Sequence, residues 1–410
     1  MRKLKFGLAI CLIVVTILMA ACQPAQPAEP AAEEPAAEEP AAEEPVVEEP
    51  AAEEPAGPKE VVIGVYEPMT GAQAAGGELT MQGVNLAYEQ HNEVLGTPIR
   101  LVLVDNRSDK AESATAMTRL IEQEGAIAVI GSYGSSNSMA GGEVSEKAGI
   151  PVMGCSPTNP LVTAGKEYYF RACFIDPFQG RVMAKYAVET LGAKKVAIIQ
   201  DVAQDYSVGL AAFFKQSWIE LTGSEEGIVA ETSYQTGDQD FTAQLGSVLA
   251  EEPDTIYAPG YFGDAALLVK QARELGFEGP IMGSDAWEAP ELIDIGGDAA
   301  NGVLISTHYH PDAALSEASG KFVEDFEAKF GERPSAFAAL GYDAYMLVYT
   351  AIERANSFDP KAIRDAIAVT ADYPGVTGTI TLDENGDAVK DAVILTVEDG
   401  EFKYLTTVKP

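Results

Sequence analysis

The chain is predicted to fold as an α/β protein, with two doubly wound parallel-sheet lobes joined by a multi-strand hinge. Three observations predict it. From Lys59 onward, short β-branched runs alternate with longer amphipathic segments, the pattern of parallel sheets covered by helices. That pattern runs twice, restarting after Asp176-Pro177. The stretch from Lys59 to Pro410 is 352 residues, enough for two lobes with separate cores.

The first set opens with the strand Val61 to Val65 and a helix from about Glu78 to His91. Strand Ile99 to Val104, helix Lys110 to Glu124 and strand Ala126 to Ile130 follow. A serine-rich loop leads into a helix ending near Lys147, then the strand Ile150 to Met153. In the second set, a helix through Leu191 precedes strand Val196 to Gln200, a helix from about Ser207 and strand Gly227 to Thr232. Helix Phe241 to Glu251, strand Thr255 to Ala258, helix Asp264 to Leu275 and strand Pro280 to Gly283 complete it. The tail adds strand Gly302 to Ser306, helices Glu317 to Phe330, Ala336 to Arg354 and Pro360 to Val369, and final strands Gly378 to Leu382 and Ala392 to Val397.

Ahead of this, Met1-Arg-Lys-Leu-Lys and the apolar run Phe6 to Ala21 form a secretory signal over residues 1–21. Met19-Ala20-Ala21-Cys22 resembles the bacterial lipoprotein box, in which the cysteine is acylated; leucine is commoner where Met19 stands. Residues 23–58 repeat Ala-Ala-Glu-Glu-Pro with eleven glutamates and no lysine, arginine or aromatic residue. Such a segment buries too little apolar surface to offset its ordering entropy and is expected to be a disordered, extended tether over 22–58. Acyl chains on Cys22 would hold the protein at an extracytoplasmic membrane surface.

Residues 59–410 hold 24 Lys+Arg against 52 Asp+Glu. With no basic stripe to neutralise phosphates, a nucleic-acid partner is not expected. The two cysteines of the domain, Cys155 and Cys173, allow either one disulfide or two buried thiols; neither belongs to a C-x-x-C metal or redox motif.

Ligands of open α/β sheets sit beyond the carboxyl ends of the strands. That rule selects Ser132 to Ser138, Cys155 to Asn159, Asp201 to Tyr206, Pro259 to Phe262 and Ser284 to Trp287, loops rich in hydroxyls, aromatics and carboxylates that contain no lysine or arginine. No G-x-S-x-G elbow and no Gly-Lys-Ser/Thr loop is present, so neither an α/β-hydrolase serine nor a nucleotide cradle is expected. His308 and His310 could face one side of a strand as metal ligands, but no third ligand accompanies them; they read as hinge or rim residues. No metal or cofactor is expected. Hydroxyls and backbone N–H groups at a helix start suit a carboxylate. Asp285 suits an ammonium, and Tyr206 and Tyr261 suit the walls of a box.

The ordered set Ile63 to Val65 with Thr70-Gly71, Val129 to Gly131 with Ser135-Ser136, Thr158 to Pro160, Asp176 to Gly180 and Gly341 to Ala344 resembles the type I periplasmic solute-binding proteins, in particular the branched-chain amino acid group of ABC importers. The resemblance implies a receptor that closes two lobes on an amino acid and delivers it to an ABC permease driven by cytoplasmic ATPases. It implies that Ser135, backed by Ser136, and Thr158, with the backbone of Ser156, take the α-carboxylate. Tyr206 and Tyr261 would flank the ligand, and Asp285 would take the α-ammonium. Lobe one is expected at 59–176 plus 307–385 and lobe two at 177–306 plus 386–410. One departure stands out: where leucine-type receptors place an aromatic wall, this chain has Ala74-Ala75-Gly76-Gly77, which is expected to leave room for a larger ligand. Receptors for amides, urea and aromatic acids share the family pattern, and a serine amidase is the alternative from another class.

Overall fold

The computed structural model describes residues 58–313 and 315–410. The signal, Cys22 and residues 1–57 generally lie outside them.

The chain begins with β1 (Val61–Glu67), α1 (Ala74–Gln90), β2 (Glu93–Val94), β3 (Thr97–Asp105), α2 (Lys110–Glu122), β4 (Ala126–Ile130), α3 (Ser135–Ala148), β5 (Val152–Gly154) and β6 (Tyr169–Arg171). These strands form one sheet in the order β2-β3-β1-β4-β5-β6. Apart from the short antiparallel β2, every pairing is parallel. Burial on both faces explains the runs of apolar residues in β1 and β4.

The chain then passes to a second sheet through α4 (Asp176–Lys185), whose axis continues as a π-helix over Tyr186–Leu191. There follow β7 (Val196–Asp201), α5 (Asp205–Thr222), β8 (Ile228–Tyr234), α6 (Thr242–Leu249), β9 (Thr255–Tyr257), α7 (Phe262–Glu274), β10 (Ile281–Met282), α8 (Pro290–Gly296) and β11 (Leu304–Thr307).

It returns to the first lobe with α9 (Glu317–Phe330), α10 (Ala336–Ala355), α11 (Pro360–Ala368) and a small antiparallel sheet of β12 (Tyr373–Gly375), β13 (Gly378–Leu382) and β14 (Ala388–Val389). Leu340, Ala344 and Val348 of α10 pack with Ile63, Val65 and Ile130 of the first sheet in one core. The last passage leads to β15 (Ala392–Glu398) and β16 (Glu401–Val408). These complete the second sheet, β16-β15-β11-β10-β9-β7-β8.

Three differences from the sequence reading have physical causes. The second sheet is mixed, because β15 runs antiparallel to β11 and turns back into β16. The turn is Asp399-Gly400, both with positive φ, the two-residue signal for a hairpin. The third passage lies at Lys390-Asp391, between β14 and β15, a little later than the boundary expected at 385–386. Finally, α1 starts at Ala74 rather than near Glu78. Its glycines are poor helix formers, but Gly76 lies under the ring of Tyr133, where an added Cβ would stand 2.3 Å from Cζ. Tertiary packing overrides propensity there.

A buried guanidinium ties the first lobe to the last passage. Fully buried Arg171 bonds through Nε to Asp387 Oδ1 at 2.7 Å. Through its other nitrogens it reaches the carbonyls of Pro157 and Asn159 and the hydroxyl of Thr163. Removing one partner of such a pair strands a charge in low dielectric. Asp387→Ala is therefore expected to lower the unfolding free energy by about 3–5 kcal/mol in urea titrations.

Candidate functional site

The carboxyl ends of the first-lobe strands are braced by side chains of the same lobe. Glu67 ends β1, and its Oε2 accepts the backbone N–H of Tyr133 at 2.7 Å. Asn106, just past β3, donates to Ser132 Oγ at 2.7 Å, and Ser138 bonds back to the backbone of Ser132. Ser132 and Ser138 therefore shape the turn that launches α3. Gly134 caps that helix without a side-chain bond, so the first N–H groups keep their capacity to bind an anion. In the next loop, Arg171 grips the carbonyls on either side of Thr158, while Ser156 Oγ donates to Tyr133 O at 3.3 Å.

The second lobe supplies a carboxylate. Asp285 follows β10 and is almost fully buried. Its Oδ1 accepts from Gln179 Nε2 at 2.7 Å and Tyr206 OH at 2.5 Å, and Oδ2 lies 3.1 Å from His308 Nε2. Each carboxylate oxygen has two acceptor positions, so Oδ2 retains one. Burial drives the Tyr206 phenol well above its ordinary value and lowers that of His308. Tyr206 thus remains a donor to Asp285, and His308 Nε2 faces the other carboxylate oxygen. The Tyr206 ring lies 5.4 Å from that of Tyr261, which lies 5.9 Å from that of Tyr133 across the cleft.

Ser135, Ser156, Tyr206, Tyr261 and Asp285 line one narrow space, with Tyr133 and Ala286. Two residues of the expected set lie elsewhere. The Ser136 hydroxyl faces Asp205 at 2.9 Å. Thr158 is fully buried behind the space; its hydroxyl neighbours Asp176, whose charged form it favours, but has no hydrogen-bond partner. The Ala74 to Gly77 stretch leaves no opening, because Tyr133 fills it, resting on Gly76 with its ring 4.8 Å from that of Phe337. Cys155 and Cys173 are free, buried thiols.

Buried polar atoms without a partner gather around this space: Tyr133 OH, Thr158 Oγ1, both oxygens of Asp176, Gln179 Oε1 and His308 Nδ1. Buried polar groups are paired almost throughout proteins, so these atoms are candidate contacts for a polar guest. A larger groove nearby, lined by residues such as Leu79, Ile293, His310 and Phe402, has no such concentration. Its cations are already engaged, Arg333 with Asp312 and Lys403 with Glu401.

Burial also acts on the acids that brace the site. It pushes the Glu67 carboxyl up to about 8, Asp176 to about 8 and Glu288 to about 7. Glu288 accepts from Thr307 and from the N–H of Ala336, joining the second lobe to the start of α10.

Residues 60–401 match the periplasmic binding protein family. The chain belongs to that family. An amino acid binding protein of Pseudomonas aeruginosa is 32% identical over 354 residues, covering 84% of this chain and 92% of that protein. Among solved structures, a leucine binding protein, LivK, of Thermotoga maritima is 45% identical with a TM-score of 0.83, covering 85% of this chain and 99% of its own. LivJ of Streptococcus pneumoniae, a branched-chain amino acid transporter substrate binding protein in complex with isoleucine, is 33% identical with a TM-score of 0.80, covering 86% and 100%. The fold is accordingly the type I periplasmic binding protein fold.

Within this family frame, four residues escaped the sequence reading. Asp176 and Gln179 stood inside the stretch Asp176 to Gly180, where their spacing on one helical turn was the available signal. His308 was read as a hinge or rim residue, and nothing local pairs it with Asp285, 23 positions away. Tyr133 was hidden among serines.

An acid whose folded pKa exceeds its unfolded value holds its proton more tightly when folded. The contribution of Glu67 is complete below its ordinary 4.5 and is lost as pH rises through about 8. Glu67→Gln stays neutral throughout. Between about pH 6 and pH 8.5 it is expected to lose roughly 1–3 kcal/mol less stability than the parent in urea titrations.

Proposed function

We propose that this protein is the extracytoplasmic receptor of an ABC importer and captures an amino acid, branched-chain or closely related, between its lobes. One observation carries the reading: within one small buried space, the uncapped start of α3 with Ser135 faces the Asp285 carboxylate. A zwitterion has the complementary poles. Its carboxylate takes the Ser135 hydroxyl and the N–H groups of α3 and of the Ser156 to Thr158 loop. Its ammonium takes the free position on Asp285, with Thr158 and Asp176 behind it as further acceptors. Tyr206 and Tyr261 form the walls, and Tyr133 closes the side-chain end.

A neutral amide or urea leaves Asp285 without a cation, and an aromatic acid places no positive group there; both lose the interaction that the site is built around. A serine nucleophile lacks a base: Ser135 Oγ accepts the N–H of Asn159 at 3.2 Å, and His308 is committed to Asp285. The relatives LivK, a leucine binding protein, and LivJ, in complex with isoleucine, support an apolar side chain.

Binding proceeds by hinge closure. The first lobe offers its carboxylate half in the open form, and Tyr206, Tyr261 and Asp285 complete the site as the lobes meet. An ABC permease with cytoplasmic ATPases receives the ligand. Family membership goes with a place outside the cytoplasm, and acylation of Cys22 tethers the domain there through residues 23–58. Among the described residues no helix is long and apolar enough to cross a membrane.

In a thermal-shift screen, leucine, isoleucine or valine is expected to raise the Tm by roughly 2 °C or more at about a hundred times its Kd, and urea and benzoate are expected not to. By calorimetry, Asp285→Ala should weaken that ligand by about 30-fold or more; unchanged affinity for every amino acid the parent binds would sink the reading. Tyr133→Ala opens the side-chain end and is expected to admit phenylalanine or tryptophan. Competition against the parent's best ligand measures it.

A further inference from the structure

Asp205 opens α5 of the second lobe, and three elements of the first lobe converge on it. Lys110 Nζ, at the start of α2, lies 2.7 Å from Asp205 Oδ2. Ser136 Oγ, in the first turn of α3, donates to the same oxygen at 2.9 Å and accepts the Asp205 N–H at 3.1 Å. Asn159 Nδ2 donates to the Asp205 carbonyl at 2.8 Å. Gly209, one turn further along α5, permits this approach, since a Cβ there would stand 2.8 Å from Asn159 Nδ2.

The placement has a pattern. Ser136 is next in the chain to Ser135, Asn159 to Thr158, and Asp205 to Tyr206. Bonds to Asp205 therefore fix the distance between lobes within one residue of three proposed ligand contacts. We propose that Asp205 is the latch of the closed form, holding Tyr206 in place over the ligand and setting how long the ligand stays.

The latch has two separable parts. Lys110 and Asp205 are about half exposed, at 54% and 48%, so their attraction is screened by salt. The bonds from Ser136 and Asn159 are partly buried and neutral on the donor side, and they respond less. All of them bridge lobes, so they exist only after closure. Weakening them accelerates opening and dissociation, while association, which starts from the open form, changes little.

Only the ligand arm of the test rests on the amino-acid reading. With L-leucine as the probe, stopped-flow dissociation from the parent is expected to quicken about three- to fivefold between low and high salt. Asp205→Asn and Lys110→Gln are expected to be about three- to tenfold faster at low salt, with association within about twofold, and to have lost the salt response. The double variant should be no faster than Asp205→Asn alone, because the two act as one pair. Circular dichroism melts verify that each variant folds. Dissociation rates and salt responses equal to the parent's in both single variants overturn the proposal.

If L-leucine binds no form of the protein, the amino-acid reading falls and the latch is decided by small-angle scattering without ligand. A larger radius of gyration for Asp205→Asn than for the parent at low salt, converging at high salt, supports it. Identical radii overturn it.

Discussion

The structure turns on one buried carboxylate. Asp285 sits where water is excluded, and a carboxylate there is strongly destabilising unless donors surround it. Tyr206 from α5, Gln179 from α4 and His308 from the passage after β11 provide them. Two of those three residues lie beside places where the chain passes between lobes, so this carboxylate is held by residues next to the hinge. A change in hinge geometry is felt at Asp285, and a cation at Asp285 favours the geometry that best completes its shell.

The opposite pole is rigid for a different reason. Arg171 fastens the loop of Ser156 to Asn159 by two carbonyls, and Glu67 fastens Tyr133 by its N–H. Neither side chain touches the candidate space. They fix backbone donors whose direction matters more than their number, which is how backbone N–H groups select a carboxylate geometry. The first-lobe half of the candidate site is thus held by its own lobe, and the second lobe contributes Asp285 and the rings of Tyr206 and Tyr261. Glu67 and Asp176, both pushed up to about 8 by burial, make the same region sensitive to alkaline pH.

Much of the scaffold was legible from the sequence. Strand Ala126 to Ile130, helix Glu317 to Phe330 and strand Gly378 to Leu382 fall on the expected residues, because their periodicity and boundaries are local. The rule that ligands lie beyond strand ends selected five residues that do share one space. Ser136 and the Ala74 to Gly77 stretch show its limit. A strand-end position says that a hydroxyl is near the cleft, not which neighbour it will bond, and a small side chain does not say whether another residue fills the gap.

By itself, then, the sequence determined the layered fold, the doubling of its pattern and the loops that meet at the candidate site, since each is written in patterns spanning a few turns of chain. Tertiary structure alone decided the pairings that give those loops their chemistry. Gln179 and Asp285 are 106 positions apart, and Lys110 and Asp205 are 95 apart. The first depends on how strand ends and helices assemble within one lobe and the second on how the two lobes meet, and no local periodicity encodes either. The same holds for Tyr133 on Gly76, where a ring from the end of one strand takes the space that a missing Cβ on a distant helix leaves free.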